Sequence, residues 1–246
     1  MRRFVLAAMF VTYATGAAFA QNDAPLSPLA LKVACGPPAS LDAGPADALR
    51  VIGAQDTTPR RLFGNHDLLI IGGGTSAGVQ LGQEFFLRRD ITFGGSKNVR
   101  GAKTLGWSRV VAVNESTAIA LVEVACGGII IGDYLQPFAA PAVSAEMERD
   151  ETPGQPDFAS LGHIVVGNEG RETVGAGDLA LIDLGQDKGL GAGARFAIYR
   201  GMGVDGMPLA SVGEGIVIST SGDMSLTRIT RARDAVFSGD YIALRK

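Results

Sequence analysis

The sequence predicts an all-β protein made of two tandem copies of a small five- or six-stranded barrel-like domain. Three observations predict it. The first is an internal repeat. The second is a series of short apolar stretches separated by glycine-rich turns, in a chain with 34 Gly and 11 Pro among 246 residues. The third is that no segment sustains a helical period. With 46% hydrophobic and 19% charged residues the chain has enough apolar side chains to fold, which excludes disorder for most of its length.

The repeat starts at Asp67 and Asp178 and runs for 23 residues without a gap. It pairs Asp67/Asp178, Leu68/Leu179, Ile71/Ile182, Gly74/Gly185, Gly78/Gly189, Gly82/Gly193, Phe85/Phe196 and Arg89/Arg200. After a loop four residues shorter in the second stretch, register returns at Gly106/Gly213, Val110/Val217, Ala125/Ala232 and Gly132-Asp133-Tyr134 against Gly239-Asp240-Tyr241. Five of these fourteen identities are glycines, the residues that fix turns needing positive φ.

From the N-terminus, Met1–Arg3, the apolar stretch Phe4–Val11 and Ala18-Phe19-Ala20 read as a signal peptide over residues 1–20. Its removal takes the formal charge from −3 to −5, because Arg2 and Arg3 leave with it. Residues 21–49 are rich in Pro and Ala and read as irregular. The first repeat, 50–138, carries predicted strands at Leu68–Ile71, Glu84–Arg89, Arg109–Val113, Thr117–Val124 and Asp133–Gln136. An acidic linker with Pro141, Pro153 and Pro156 spans 139–160, with room for one helical turn at most. The second repeat, 161–246, has strands at Leu179–Leu184, Arg195–Arg200, Gly215–Thr220, Ser225–Thr230 and Asp240–Leu244. Arg50–Gly53 and His163–Gly167 are candidates for a sixth strand in each. So few short strands leave costly edges if the sheet stays open and flat, so each repeat is expected to close or curl.

Cys35 and Cys126 are the only cysteines. In an exported chain an even count favours a disulfide, the alternative being two buried free thiols. Arg233 stands where the repeat would otherwise place a second Cys126, so the thiol serves something particular to the first repeat. The hairpin from Asp90 to Leu105 reads as a long basic loop containing Gly94, Gly95 and Gly101. Arg88, Arg89, Lys97, Arg100, Lys103 and Arg109 in and around it form a candidate interaction surface for an anionic partner; the alternative is a solvated loop.

Several motifs point to chemistry and then fail for want of partners. Gly72-Gly73-Gly74 with Gly78 is like a dinucleotide-binding glycine fingerprint, but no helix-length period follows and the second repeat has Asp183-Leu184-Gly185 there. These glycines are expected to make a hairpin turn. Gly64-Asn65-His66-Asp67 is like the metal block of calcineurin-like phosphoesterases, which needs more histidines than the two present, and His66 reads as a strand-edge residue. No serine sits in a nucleophile elbow. Asp133 and Asp240 follow Gly at equivalent turns, where a short acceptor caps a backbone amide. No catalytic residue, cofactor or metal is expected, and the acidic balance argues against nucleic acid as a partner.

Asp178, Gly189-Leu190-Gly191-Ala192-Gly193, Phe196-Ala197-Ile198-Tyr199-Arg200 and Gly239-Asp240-Tyr241 together resemble the C-terminal β-barrel domain of the flagellar assembly protein T family. More loosely, they resemble the β-rich segment that follows LysM modules in envelope proteins. The resemblance covers residues 177–241 of the second repeat, the first repeat follows the same plan with substitutions, and neither a LysM module nor the flagellar family's other domains are read in the sequence. It implies a non-enzymatic envelope module, periplasmic or secreted, binding an envelope protein or a cell-wall polymer. An exported small-ligand carrier or enzyme is the alternative.

Overall fold

The computed structural model describes residues 25–39, 42–92, 100–151, 153–204 and 206–246. Strands dominate, as the sequence predicts. A helix α1 (Pro28–Ala34) precedes six strands: β1 (Val51–Ala54), β2 (Leu68–Ile71), β3 (Glu84–Thr92), β4 (Arg100–Val113), β5 (Ala118–Ala125) and β6 (Tyr134–Pro137). They form one antiparallel sheet in the order β1-β2-β5-β4-β3-β6. Its two ends meet through a bridge between Arg50 and Tyr134, with amide-to-carbonyl bonds from Val51 to Asp133 (2.9 Å), Gly132 to Val51 (2.8 Å) and Leu135 to Leu49 (2.7 Å).

A short helix α2 (Ala145–Glu148) lies in the linker. Then follow β7 (Pro156–Gly167), β8 (Thr173–Val174), β9 (Leu179–Ile182), β10 (Arg195–Arg200), β11 (Ala210–Thr220), β12 (Ser225–Ala232), β13 (Val236–Phe237) and β14 (Tyr241–Arg245). β7, β9, β12, β11, β10 and β14 close into a barrel, with β8 and β13 paired beside it. Taken from β7, that order matches β1-β2-β5-β4-β3-β6 strand for strand under the sequence alignment. The registers match too. Leu87 faces Leu135 and Gly106, Ile198 faces Ile242 and Gly213, and each β3/β4-type pair shifts register at the next residue.

Period-two alternation decides what fills each sheet. Phe85 and Leu87 point inward with Leu69, Ile71, Val110 and Val122, whereas Phe86 between them belongs to a separate cluster outside. Phe196 and Ile198 likewise point inward with Ile182, Val217, Ile229 and Ile242. A Cβ on Gly215 would lie 2.3 Å from the Phe196 ring, so that ring fills the space a side chain there would need. Apolar residues also line the outer faces: Leu179, Leu181 and Leu226 in one cluster, Ile216 and Ile218 in another.

Four expectations are corrected. Residues 21–49 are not wholly irregular, because Ser27 caps α1 by accepting the Ala30 amide (3.2 Å) and Pro28 occupies its first turn. The basic loop is shorter than Asp90–Leu105, since β3 runs to Thr92 and β4 starts at Arg100. Burial of Ala102 and packing of Ile91 against the second barrel hold these residues in strands despite their Gly and Lys content. Gly72–Gly78 is no hairpin: it carries the chain from β2 to β3, which do not pair with each other, through a 3-10 turn at Thr75–Ala77. His66 is not on a strand edge; it sits in the turn before β2 with φ at 65°.

Candidate functional site

The segment 25–39 lies where the two barrels meet. Ala34, Leu26 and Cys35 pack with Phe86, Trp107 and Phe138 on the outside of the first barrel. Leu29 and Val33 pack with Met147, Ile216 and Ile218 on the outside of the second. The helix ends at Gly36-Pro37-Pro38, and a Cβ on Gly36 would lie 2.6 Å from Leu179 Cδ1. Backbone carbonyls of the segment are then claimed from both sides. Gly36 O accepts from buried Thr104 Oγ1 (2.8 Å), and Ala39 O accepts from Ser221 Oγ (2.6 Å). Lys32 Nζ donates to Gly177 O.

The expected disulfide is present. Cys35 and Cys126 are bonded, with Cα atoms 5.5 Å apart across 91 residues of sequence. A direct ion pair, Lys103 Nζ to Glu169 Oε1 at 2.9 Å, also crosses between the barrels and holds the Glu169 carboxyl below its ordinary range.

The six basic residues of the candidate surface separate into different environments. Arg89 donates Nε and Nη2 to Asp133 (2.7 and 2.8 Å) and Nη2 to Gly128 O (3.0 Å). Arg109 reaches Glu84 (3.0 Å) and Glu123 (3.0 Å). Lys103 serves Glu169, and Arg100 is exposed at the start of β4. Lys97 lies outside the described residues, as do Gly94 and Gly95. Arg88 differs from the rest. Its Nη1 donates to Gln136 Oε1 (2.6 Å) and its guanidinium lies 4.8 Å from the Phe86 ring centroid, yet Nε is buried without a partner. Burial pushes its pKa down.

Arg88 also lines a cavity of about 520 Å³ between the barrels, beside the N-terminal segment. Its walls include Val33 and Ala39 of that segment, Phe86 and Gln136 of the first barrel, and Ile218 and Leu226 of the second. Sequence reasoning reached Arg88 as part of a basic patch but missed the cavity, because its walls come from three segments far apart in the chain.

Several other polar groups make hydrogen bonds within the fold. Asp133 Oδ2 accepts the Ile130 amide (2.7 Å) and Asp240 Oδ2 the Phe237 amide (2.8 Å), the amide-capping role expected of both. Asp67 and Asp178 do the same for the Gly64 and Gly175 amides (2.8 and 2.9 Å). Desolvation pushes the Asp67 carboxyl up, but the bonds from Arg60 and the Gly64 amide outweigh it and hold it low. His163 is oriented by Asp183, which accepts its amide (2.6 Å) and lies 2.9 Å from Nδ1. Among the described residues no three His, Cys, Asp or Glu side chains are grouped to hold a metal ion. No helix among them is long and apolar enough to cross a membrane. No protein-family model matches the chain, and no curated protein matches it in sequence.

Proposed function

We propose that the chain is a non-enzymatic scaffold or interaction protein of the cell envelope, exported to the periplasm or secreted, and that its two barrels derive from duplication of one unit. One observation carries the reading: the N-terminal segment is bonded to the first barrel, packed on the second and hydrogen-bonded to both. Such an arrangement fixes the relative position of two rigid surfaces, which suits a spacer or docking body. The disulfide supports an oxidising destination. The matching strand orders, and the shared Arg–Asp pairs at Arg89–Asp133 and Arg200–Asp240, support duplication.

A flagellar or peptidoglycan setting follows from the resemblance of the second repeat, and the exposed Arg100, with Lys97 near it in sequence, is the contact we assign to an anionic partner. The test is site-specific photocrosslinking from position 100 in the exported protein, with fractionation of the cell. Cleavage after Ala20, periplasmic recovery and a discrete crosslink lost on raising salt or on Lys97→Gln/Arg100→Gln are expected. Retention of the chain in the cytoplasm, or a crosslink pattern unchanged in the variant, would overturn the reading.

A further inference from the structure

Among the described residues one charged side chain, Arg88, lines the cavity between the barrels, and no carboxylate pairs with it there. The contrast with its neighbour is informative. Arg89 places both Nε and Nη2 on a carboxylate, whereas Arg88 reaches neutral Gln136 through Nη1 and, unlike Arg228 and Arg245, whose Nε atoms are also buried without a partner, has no carboxylate on its other nitrogens among the described residues. A half-buried guanidinium without a counter-ion carries a desolvation cost, and a charge-assisted bond to an anion offsets that cost. The protein supplies one part of a carboxylate site and leaves the carboxylate out.

The rest of the wall narrows the ligand. A single cation with neutral Gln136, Ser219 and Thr220 nearby suits a monoanion, since a phosphate dianion would leave charge unmatched. Phe86 is the one aromatic among the described lining residues, and Val33, Ile218 and Leu226 are aliphatic, which favours a flexible aliphatic body over a flat ring. The volume of about 520 Å³ falls within the range of small-molecule sites.

We propose that this cavity binds a small monocarboxylate with an aliphatic body, the carboxylate on Arg88 and the chain along Phe86, Ile218 and Leu226. The proposal goes beyond the scaffold reading, and either can stand without the other. It places a ligand against all three segments that meet there, so occupancy would strengthen the join between the barrels.

Equilibrium dialysis of the full mature chain against dodecanoate below its micellar concentration tests it, with dodecanol and dodecyltrimethylammonium as controls. One saturable dodecanoate per chain is expected, and Arg88→Gln should weaken it about tenfold or more, the worth of one charge-assisted bond. Ala192→Trp, which adds a bulky ring at the second barrel's part of the cavity wall, should also weaken binding. Circular dichroism and a retained disulfide establish that both variants are folded. Absence of saturable binding overturns the proposal, as does equal binding by Arg88→Gln or equal affinity for dodecanol. A peptide with a free C-terminus binding where dodecanoate does not would overturn the assignment to an aliphatic acid.

Discussion

Arg89 grips Asp133 with two parallel hydrogen bonds, Nε to Oδ1 at 2.7 Å and Nη2 to Oδ2 at 2.8 Å, and the same carboxylate caps the Ile130 amide. Arg200 repeats the grip on Asp240, at 2.8 and 2.7 Å, with the Phe237 amide as third donor. In each barrel this pair ties the third strand of the repeat to the turn that launches its last strand. The Asp133 side chain is 2% exposed and its arginine 33%, so the carboxylate is the buried partner.

Removing that buried partner is therefore expected to be expensive. Asp133→Ala should destabilise the protein by about 3 kcal/mol, because it orphans the Ile130 amide and strips the arginine of its counter-charge. Arg89→Lys keeps the charge and loses the fork, so it should recover only part of the loss. Urea denaturation followed by circular dichroism measures both; a lysine variant as stable as the parent would show that charge alone matters.

The inter-barrel ion pair predicts a pH dependence. Lys103 holds the Glu169 carboxyl below its ordinary range, so its folded pKa is depressed relative to the unfolded chain. The stabilisation is then fully present above about 4.3, the unfolded value, and is lost as pH falls through the lower folded value. Thermal melts between neutral pH and pH ~3 should show an acid-side loss that shrinks in Glu169→Gln. The effect should also shrink in high salt, since Glu169 is 49% exposed. An identical acid-side slope in the variant would remove this pair from the account.

Gly74 and Gly185 admit no side chain. A Cβ would sit 2.1 Å from Asn114 O at the first and 2.4 Å from Gly222 O at the second, both backbone atoms. In each case the following 3-10 turn donates amides across the gap, Thr75 to Asn114 O and Gln186 to Ser221 O, both at 2.9 Å. Gly74→Ala or Gly185→Ala should each cost about 2 kcal/mol or more by forcing those strands apart. Gly78→Ala has open space and should cost only about 1 kcal/mol, from its φ of +78°. Chemical denaturation of the three variants should return that order.

Loss of the disulfide should weaken more than the first barrel. Closing a loop of 91 residues constrains the unfolded chain by about 4–5 kcal/mol in the chain-entropy account. Cys35→Ser/Cys126→Ser should lower the denaturation midpoint and loosen α1. Hydrogen exchange should then quicken at Ile216 and Ile218 of the second barrel, which α1 covers. Acceleration confined to residues 50–138 would show that the segment does not couple the two.

What was legible in the sequence follows from what is local. Glycines at turns such as Gly78 and Gly189, with φ of 78° and 77°, declare themselves by residue type, and the alternation around Phe85 and Phe196 declares the strands. The two cysteines were legible by count. The seven-residue α1 was not, although Ser27 and Pro28 mark its start, because it is too short to show a period. The continuation of β3 and β4 past Arg89 was hidden because it rests on contacts with the other barrel, Ile91 packing on its outer cluster and Lys103 pairing with Glu169. Arg88 was visible as a charge, but its want of a counter-ion is a property of three segments at once.

The position of residues 25–39 bears on modularity. The sequence repeats, but the apolar outer residues Phe86 and Trp107 of one barrel and Ile216 and Ile218 of the other share a single cover that occurs once. A cut through the linker would give the N-terminal half the cover and leave the other half with a bare greasy strip on its wall. Recombination that transplants the second barrel alone into another chain must therefore bring a replacement for α1, and a lineage that gained the second barrel by copying would have been bound from then on to keep the short segment ahead of both.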